Sequence, residues 1–202
     1  GRGDRRAAGG ACPRRLKTQP ARNSTLRAPD GETLVLNEWP LSCGLAERAV
    51  VVLVHGIGEH AGRYRHVAER LNDWGFAVRA ADHYGHGASS GPRGGLPSVM
   101  RLVDDLALVV DDTRRAHPGV PLVLLGHSLG GLVAASFVAR AVRKVDALVL
   151  SSPGLDPGLG AFQKLMIALL SRVAPDLRVG NGLDDAYLSH DPAVVQAYRD
   201  DP

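Results

Sequence analysis

The sequence has little cysteine and no long hydrophobic run. Its two cysteines, Cys12 and Cys43, have no paired spacing, so neither a disulfide framework nor a cysteine metal site is indicated. No apolar stretch approaches the ~20 residues of a membrane-spanning helix. The first 30 residues also lack the apolar core of roughly 7–15 residues that secretory signal peptides contain. We therefore predict a cytoplasmic protein with no metal and no cofactor.

Aromatic residues are also scarce, at 4% of the chain, and residues 1–27 contain none. These 27 residues carry eight Arg or Lys side chains and one acid, Asp4, for a net charge of +7. Because the whole chain has a net charge of +3, residues 28–202 are mildly acidic at −4. A basic segment without aromatic residues or a recognition fold does not indicate nucleic-acid binding. We predict that residues 1–27 form a basic, disordered leader.

Strand and helix patterns alternate along the rest of the chain. Apolar or alternating runs predict strands at residues 33–38, 49–54, 76–81, 122–125 and 145–152. Helical periodicity predicts helices at residues 64–74, 98–116, 132–139 and 162–173. This alternation predicts an α/β fold in which helices cover both faces of a mostly parallel sheet.

The most informative stretch is 122–131, Leu-Val-Leu-Leu-Gly-His-Ser-Leu-Gly-Gly, where an apolar strand runs through Gly-x-Ser-x-Gly into a helical pattern. That order is typical of a nucleophile elbow, a tight turn that projects a serine hydroxyl above the sheet. Gly126 and Gly130 flank Ser128, since larger side chains would collide at so sharp a turn. The helix that follows directs free N–H groups towards the reacting centre. We predict Ser128 as a catalytic nucleophile.

A second Gly-x-Ser-x-Gly match, at residues 87–91, lies in a different context. It sits among Gly, His, Ser and Pro residues, and Pro92 and Gly94-Gly95 follow it. No apolar strand precedes this match and no helical pattern leaves it. The segment is therefore predicted to be a loop.

The apolar run at 49–54 leads into His-Gly-Ile-Gly-Glu-His, as expected for a buried parallel strand that opens into a catalytic loop. In elbow hydrolases the backbone N–H after the nucleophile and one from such a loop form the oxyanion hole. Here these donors would be Leu129 and Ile57. His55 is predicted to brace the loop, because such enzymes take their base from elsewhere. The same bracing role is predicted for four further residues, Gly56, Glu59, His60 and Asp82.

Four segments, at 55–64, 82–91, 126–131 and 150–153, resemble the α/β-hydrolases of the monoacylglycerol lipase and lysophospholipase group, also described as serine aminopeptidase-like hydrolases. Residues 183–202 resemble the end of that family's lid region. The pairing of His-Gly-x-Gly-Glu-His with Asp-His-x-Gly-His-Gly is specific to this group. The resemblance implies an α/β-hydrolase fold with a helical lid, and hydrolysis of monoacylglycerols or lysophospholipids through an acyl-enzyme at Ser128. It also allows transient contact with a membrane surface.

The resemblance further implies an acid and then a histidine on loops after later strands. Only 74 residues follow Ser128, and they contain one more predicted strand and lid-like sequence. The chain begins with Gly1, and its first methionine is Met100. We therefore expect a C-terminally truncated hydrolase, inactive by itself. Its parts would be a leader at 1–27, an incomplete core at 28–153 without its last strands, and a lid or cap region at 154–202.

Three residues follow Ser128 in the order of a triad, namely Asp184, Asp185 and His190. An acid and a base five or six residues apart on one segment cannot be placed as two separate strand-end loops place them. Asp191-Pro192 in that segment instead predicts a helix start.

Two alternatives to a lipid esterase stay open. One is an inactive fragment that binds lipid or a partner and leaves the strand at 145–152 as an unpaired edge. The other is a thioesterase or peptidase of the same superfamily.

Overall fold

A computed structural model describes residues 21–42, 45–155 and 189–200. The strands in these ranges are β1 (Arg22–Arg27), β2 (Thr33–Trp39), β3 (Ala49–Val54), β4 (Phe76–Ala81), β5 (Leu122–His127) and β6 (Ala147–Ser151). The helices are α1 (Arg65–Asp73), α2 (Arg101–Ala116), α3 (Leu129–Ala139) and α4 (Pro192–Arg199). A 3-10 turn, Ala61–Tyr64, leads directly into α1.

The six strands form one sheet in the order β1-β2-β4-β3-β5-β6. β1, β2 and β4 are antiparallel neighbours, whereas β4, β3, β5 and β6 run parallel. Val54 at the end of β3 lies opposite Gly126 near the end of β5. Because the carboxyl ends of parallel strands meet at one edge of a sheet, the loops after β3, β4 and β5 lie together. The predicted catalytic residues are on this edge.

Different helices cover the two faces of the sheet. On one face, α2 and α3 pack against alternate residues of the central strands, Val50, Val52, Val54, Leu122 and Leu124. On the other face, α1 packs against Val51, Leu53, Val78 and Ala80. Side chains of a strand alternate between its two faces, so the continuous apolar run of β3 fills both cores. The predicted mostly parallel sheet with helices on both faces is confirmed.

One boundary predicted from the sequence is wrong. Disorder is predicted up to residue 27, but Arg22–Arg27 forms β1 and pairs with β2 along its whole length. The strand is polar, and its only apolar side chain, Leu26, packs partly against the core. Because apolar and polar residues do not alternate along it, the sequence pattern does not predict a strand here. Backbone pairing with β2 and the hydrogen bond from Ser24 Oγ to Glu38 Oε1, at 2.7 Å, hold it in place.

Other elements differ from the prediction only at their ends. α2 begins at Arg101, three residues later than predicted. The helix predicted at 64–74 is α1 at 65–73, and a 3-10 turn precedes it. In the described part of the chain β6 pairs with β5 alone, and it exposes Val149 and Leu150. The predicted lid helix at 162–173 lies outside the described residues. So do Asp184 and Asp185.

Candidate active site

Ser128 occupies a tight turn between β5 and α3. Its backbone dihedrals are φ 51° and ψ −117°, a conformation that a non-glycine residue adopts only when its surroundings enforce it. The Ser128 N–H donates to the Ser151 carbonyl at 3.0 Å, and the Ser128 carbonyl accepts from Leu132 N at 3.1 Å and Gly154 N at 3.0 Å. The end of β6 and the first turn of α3 therefore both fix the strained residue.

The glycines on either side of Ser128 allow backbone to touch backbone. A Cβ atom added to Gly126 would lie 2.5 Å from the carbonyl oxygen of Gly130. One added to Gly130 would overlap the carbonyl oxygens of Val54 and His55. The first turn of α3 thus packs directly on the ends of β5 and β3, and a side chain at either position would push the elbow open.

The two predicted oxyanion donors are in the loop after β3 and at the start of α3. Leu129 is the first residue of α3, where a helix has no internal acceptor for its N–H. A Cβ atom added to Gly56 would lie 3.3 Å from Ser128 Cβ, so the β3 loop passes beside the serine. The N–H of Gly56 donates to Glu59 Oε1 at 2.5 Å and is therefore occupied. The next amide along the loop is that of Ile57, the predicted donor.

Glu59 and Tyr64 hold this loop from within. Glu59 Oε1 accepts from Gly56 N–H and from the Tyr64 hydroxyl, each at 2.5 Å. Burial and the neighbouring Glu59 carboxylate raise the pKa of the Tyr64 hydroxyl, which therefore stays protonated as a donor. His60 closes the same segment, because its Nδ1 accepts from Gly62 N–H at 3.2 Å at the start of the 3-10 turn. The part of Tyr64 is not apparent from the sequence, because nothing in its spacing links it to Glu59.

His55 is fully buried and both of its ring nitrogens are engaged. His83 N–H donates to His55 Nε2 at 2.9 Å, which places the ring proton on Nδ1, where it donates to the Gly56 carbonyl at 2.8 Å. His83 Nε2 donates in return to the His55 carbonyl at 2.9 Å. Burial, and then the charge of His83, hold the pKa of His55 well below its usual range. Burial lowers the pKa of His83 to about 4. Both nitrogens of the neutral His55 ring are thus engaged between the loops after β3 and β4, and neither bonds to Ser128.

Asp82 joins the loops that follow β3 and β4. Its Oδ1 accepts from Ala61 N–H at 2.8 Å, and its Oδ2 accepts from Ala88 N–H at 2.9 Å. The loop after β4 contains the second Gly-x-Ser-x-Gly match, at residues 87–91. Ser89 Oγ donates to the Asp82 carbonyl at 2.7 Å and accepts from Val35 N–H at 2.8 Å. Ser89 thus ties this loop to β2 through its side chain. Along the chain, residues 87–91 neither follow a strand directly nor lead directly into a helix.

A groove of about 470 Å³ opens beside the elbow. Its lining combines polar and apolar side chains of the loop after β3, the 3-10 turn, α1, β5 and β6, including Glu59, Arg63, Tyr64, Leu125, His127 and Val149. His127 precedes the predicted nucleophile, and its Nδ1 lies 3.1 Å from Ser151 Oγ. The groove therefore reaches the residues that flank Ser128 in the chain and in the sheet.

Within residues 21–42, 45–155 and 189–200, no hydrogen bond joins the Ser128 hydroxyl to a histidine or a carboxylate. His190, which follows Asp184 and Asp185 in the order of a triad, is exposed two residues before α4. Its neighbour Asp191 accepts from Ala193 N–H at 2.9 Å and caps α4, which confirms the predicted helix start. The described residues thus place Ser128 beside the loop after β3, with no acid or base of these residues hydrogen-bonded to the serine hydroxyl.

Neither a metal site nor a membrane-spanning helix is found in the described ranges. They contain no group of three or more His, Cys, Asp or Glu side chains placed to hold a metal ion. None of their helices combines the length and the apolar character that crossing a bilayer requires.

Several known proteins similar to this chain are lipases. Residues 46–202 match the family described as serine aminopeptidase, S33. A monoacylglycerol lipase of Mycolicibacterium smegmatis is 43% identical over 161 residues, which cover 77% of this chain and 56% of that protein. A mouse monoglyceride lipase is 34% identical over 176 residues, which cover 86% of this chain and 57% of that protein. The chain thus spans little more than half the length of these two relatives.

The fold is similar to that of a solved lipase. The crystal structure of a monoacylglycerol lipase from Paleococcus ferrophilus superposes with a TM-score of 0.66 at 34% identity. The superposition covers 91% of this chain and 63% of the lipase. The α/β-hydrolase fold expected from the sequence is thereby confirmed.

Proposed function

Because the chain belongs to the serine aminopeptidase S33 family of α/β-hydrolases, we propose that the protein hydrolyses carboxylic esters of lipids with Ser128 as its nucleophile. The substrates we propose are monoacylglycerols or lysophospholipids. The names of the M. smegmatis and mouse relatives support the first of these, since both are lipases of monoacylglycerols.

The backbone of Ser128 is the observation that carries this proposal. A non-glycine residue at φ 51°, flanked by glycines that touch neighbouring backbone, costs folding free energy of about 1–3 kcal/mol. Such strain persists at positions where function requires it. Here the strained residue is a serine at the N-terminus of α3, beside the loop of residues 55–58.

In the reaction that we propose for the whole protein, Ser128 Oγ attacks the ester carbonyl as its proton passes to a histidine beyond these 202 residues. The carbonyl oxygen becomes an oxyanion, which the N–H groups of Leu129 and Ile57 stabilise. The alcohol leaves as it takes up the proton, and an acyl-enzyme on Ser128 remains. Water then attacks the acyl-enzyme, so the fatty acid is released and the serine restored.

The test is a hydrolysis assay of the whole protein on four substrates, a monoacylglycerol, a lysophosphatidylcholine, an acyl thioester and an aminoacyl anilide. Ester hydrolysis that Ser128→Ala abolishes and Ser89→Ala retains would support the proposal. Ser89 is the matched control, because it is the serine of the second Gly-x-Ser-x-Gly match and its hydroxyl is engaged with Asp82 and Val35. Preferred cleavage of the thioester or the anilide would favour a thioesterase or a peptidase instead.

A second candidate is an inactive lipid- or partner-binding protein. The observation that favours it is the Ser128 hydroxyl, which no histidine or carboxylate of the described residues contacts. Under this alternative the exposed β6 edge, with Val149 and Leu150, would be the binding surface. A protein that binds a non-hydrolysable monoacylglycerol ether but hydrolyses none of the four substrates would support this candidate and contradict the first.

A further inference from the structure

The helix α4 contacts the body of the protein through one short face. Val195 is buried and Tyr198, three residues later, is half-buried, while the other residues of the helix are exposed. Residues three apart lie on the same side of a helix, so these two side chains form the docking face. Asp191 caps the helix and Pro192 occupies its first turn, so its start is well defined.

Tyr198 rests on the loop that carries Ile57. A Cβ atom added to Gly58 would lie 3.0 Å from the Tyr198 hydroxyl oxygen, which places the phenol directly against this glycine. Gly58 has φ +69°, a conformation that side chains rarely adopt. The absence of a side chain at Gly58 thus serves both the turn and the close approach of Tyr198.

The ring of Tyr198 also contacts the 3-10 turn. The Arg63 guanidinium lies 4.7 Å from the centre of the Tyr198 ring, within the range of a cation–π interaction. Arg63 and Glu59 line the same groove, and Glu59 holds Gly56 N–H. One aromatic side chain therefore contacts the loop at Gly58 and the turn that follows it at Arg63.

The other contacts of this loop lie on its inner side. The carbonyl of His55 is held by His83, and the N–H of Gly56 by Glu59. Ile57 and Gly58 are exposed, and Ile57 has 43% of its full accessibility. The half of the loop that would provide the oxyanion donor is thus the half that Tyr198 contacts, at Gly58.

We propose that Tyr198 is a positioning residue that holds the outer side of this loop, through Gly58 and Arg63, and keeps Ile57 N–H aimed at the oxyanion. The proposal rests on the proposed function, in which Ile57 donates to that oxyanion. Oxyanion donors act because they are fixed before the charge develops, and a loose donor loses much of its effect. α4 thereby links the segment of residues 189–200 to the chemistry at Ser128.

The first measurement is the NMR order parameter of the Ile57 and Gly58 backbone N–H groups in three variants. Tyr198→Ala removes the ring, and we expect both order parameters to fall from about 0.85, the value of rigid backbone, to below about 0.6. Tyr198→Phe keeps the ring over Arg63 and should restore the order parameters of the parent. Val194→Ala, an exposed position on the same helix, is the matched control. Unchanged order parameters in Tyr198→Ala would overturn the proposal.

The second measurement is the affinity for phenylboronic acid, which forms a tetrahedral adduct with an active-site serine and needs no leaving group. Tyr198→Ala should weaken binding about fivefold, Tyr198→Phe should rescue it, and Ser128→Ala should abolish it. Lower order parameters with unchanged affinity would make Tyr198 merely structural and overturn the positioning role alone. Failure of the parent to bind would overturn the proposed function, and the positioning role with it.

Discussion

His55 and His83 exchange a reciprocal pair of hydrogen bonds across the ends of two neighbouring strands. The backbone N–H of His83 donates to Nε2 of His55, and Nε2 of His83 donates to the backbone carbonyl of His55, both at 2.9 Å. The ring centres are 4.0 Å apart. A second proton on the His55 ring would remove the acceptor that His83 N–H uses, so the arrangement requires a neutral His55. The loop beside Ser128 is therefore built on uncharged histidines.

This pair makes the stability of the fold depend on pH. Burial lowers the pKa of His83 from 6.5 to about 4 and that of His55 in the same direction. As pH falls below 6.5 the unfolded chain takes up protons that the folded chain does not, so the free energy of unfolding decreases towards pH 4. The slope is at most about 1.4 kcal/mol per pH unit for each histidine.

Urea unfolding of the parent and His83→Gln at pH 7, 6 and 5 measures this dependence of the unfolding free energy on pH. His83→Gln keeps a donor that does not titrate and should flatten the dependence. Parallel curves for the two proteins would refute this origin.

The strain at Ser128 predicts an unusual ranking of glycine and alanine. Glycine tolerates the combination of φ 51° and ψ −117°, which residues with a Cβ atom rarely adopt, so Ser128→Gly should be about 1 kcal/mol more stable than Ser128→Ala. Ser136, in the regular part of α3, is the control, and there glycine should be about 1 kcal/mol less stable than alanine. Urea unfolding of the four variants tests this. The same ranking at both sites would show that the elbow stores no strain.

The contact between α3 and the end of β3 predicts that Gly130 tolerates no side chain. A methyl group at Gly130 would overlap the backbone carbonyls of Val54 and His55, which cannot move without breaking the sheet. Gly130→Ala should therefore cost about 3 kcal/mol or more of folding free energy. Gly154→Ala is the matched control, because its nearest neighbour would be at 3.7 Å, an ordinary contact. Equal unfolding midpoints for the two variants would count against this packing.

Glu59 is expected to matter for catalysis through the loop that it holds. Glu59→Gln keeps an oxygen that can accept from Gly56 N–H, whereas Glu59→Ala leaves that buried amide without its partner. We expect kcat for ester hydrolysis to fall about tenfold to a hundredfold in Glu59→Ala and far less in Glu59→Gln, because an unpaired buried donor costs about 1–3 kcal/mol. KM should change little if the loop acts on the oxyanion. A fall in kcat of equal size in both variants would assign the effect to charge and not to the hydrogen bond.

The elbow and the central strands could be predicted from the sequence because their signals are local. The apolar runs of β3 and β5 end in Gly-containing turns, and the structure places both at one edge of the sheet. β1 could not be predicted, since its polar residues are ordered by backbone pairing with β2. Nor could the contacts of Tyr64 with Glu59 and of Tyr198 with Gly58, which depend on how turns and helices dock in three dimensions.

The most direct test of the central claim is to trap the acyl-enzyme and identify the acylated residue. The protein would be mixed with 4-nitrophenyl octanoate, quenched in acid within one turnover and digested, and the octanoyl group located by mass spectrometry. The account predicts the group on Ser128, none on Ser89, and none on any serine of Ser128→Ala. An octanoyl group on Ser89, or the absence of a Ser128 adduct, would contradict the assignment of Ser128 as the nucleophile.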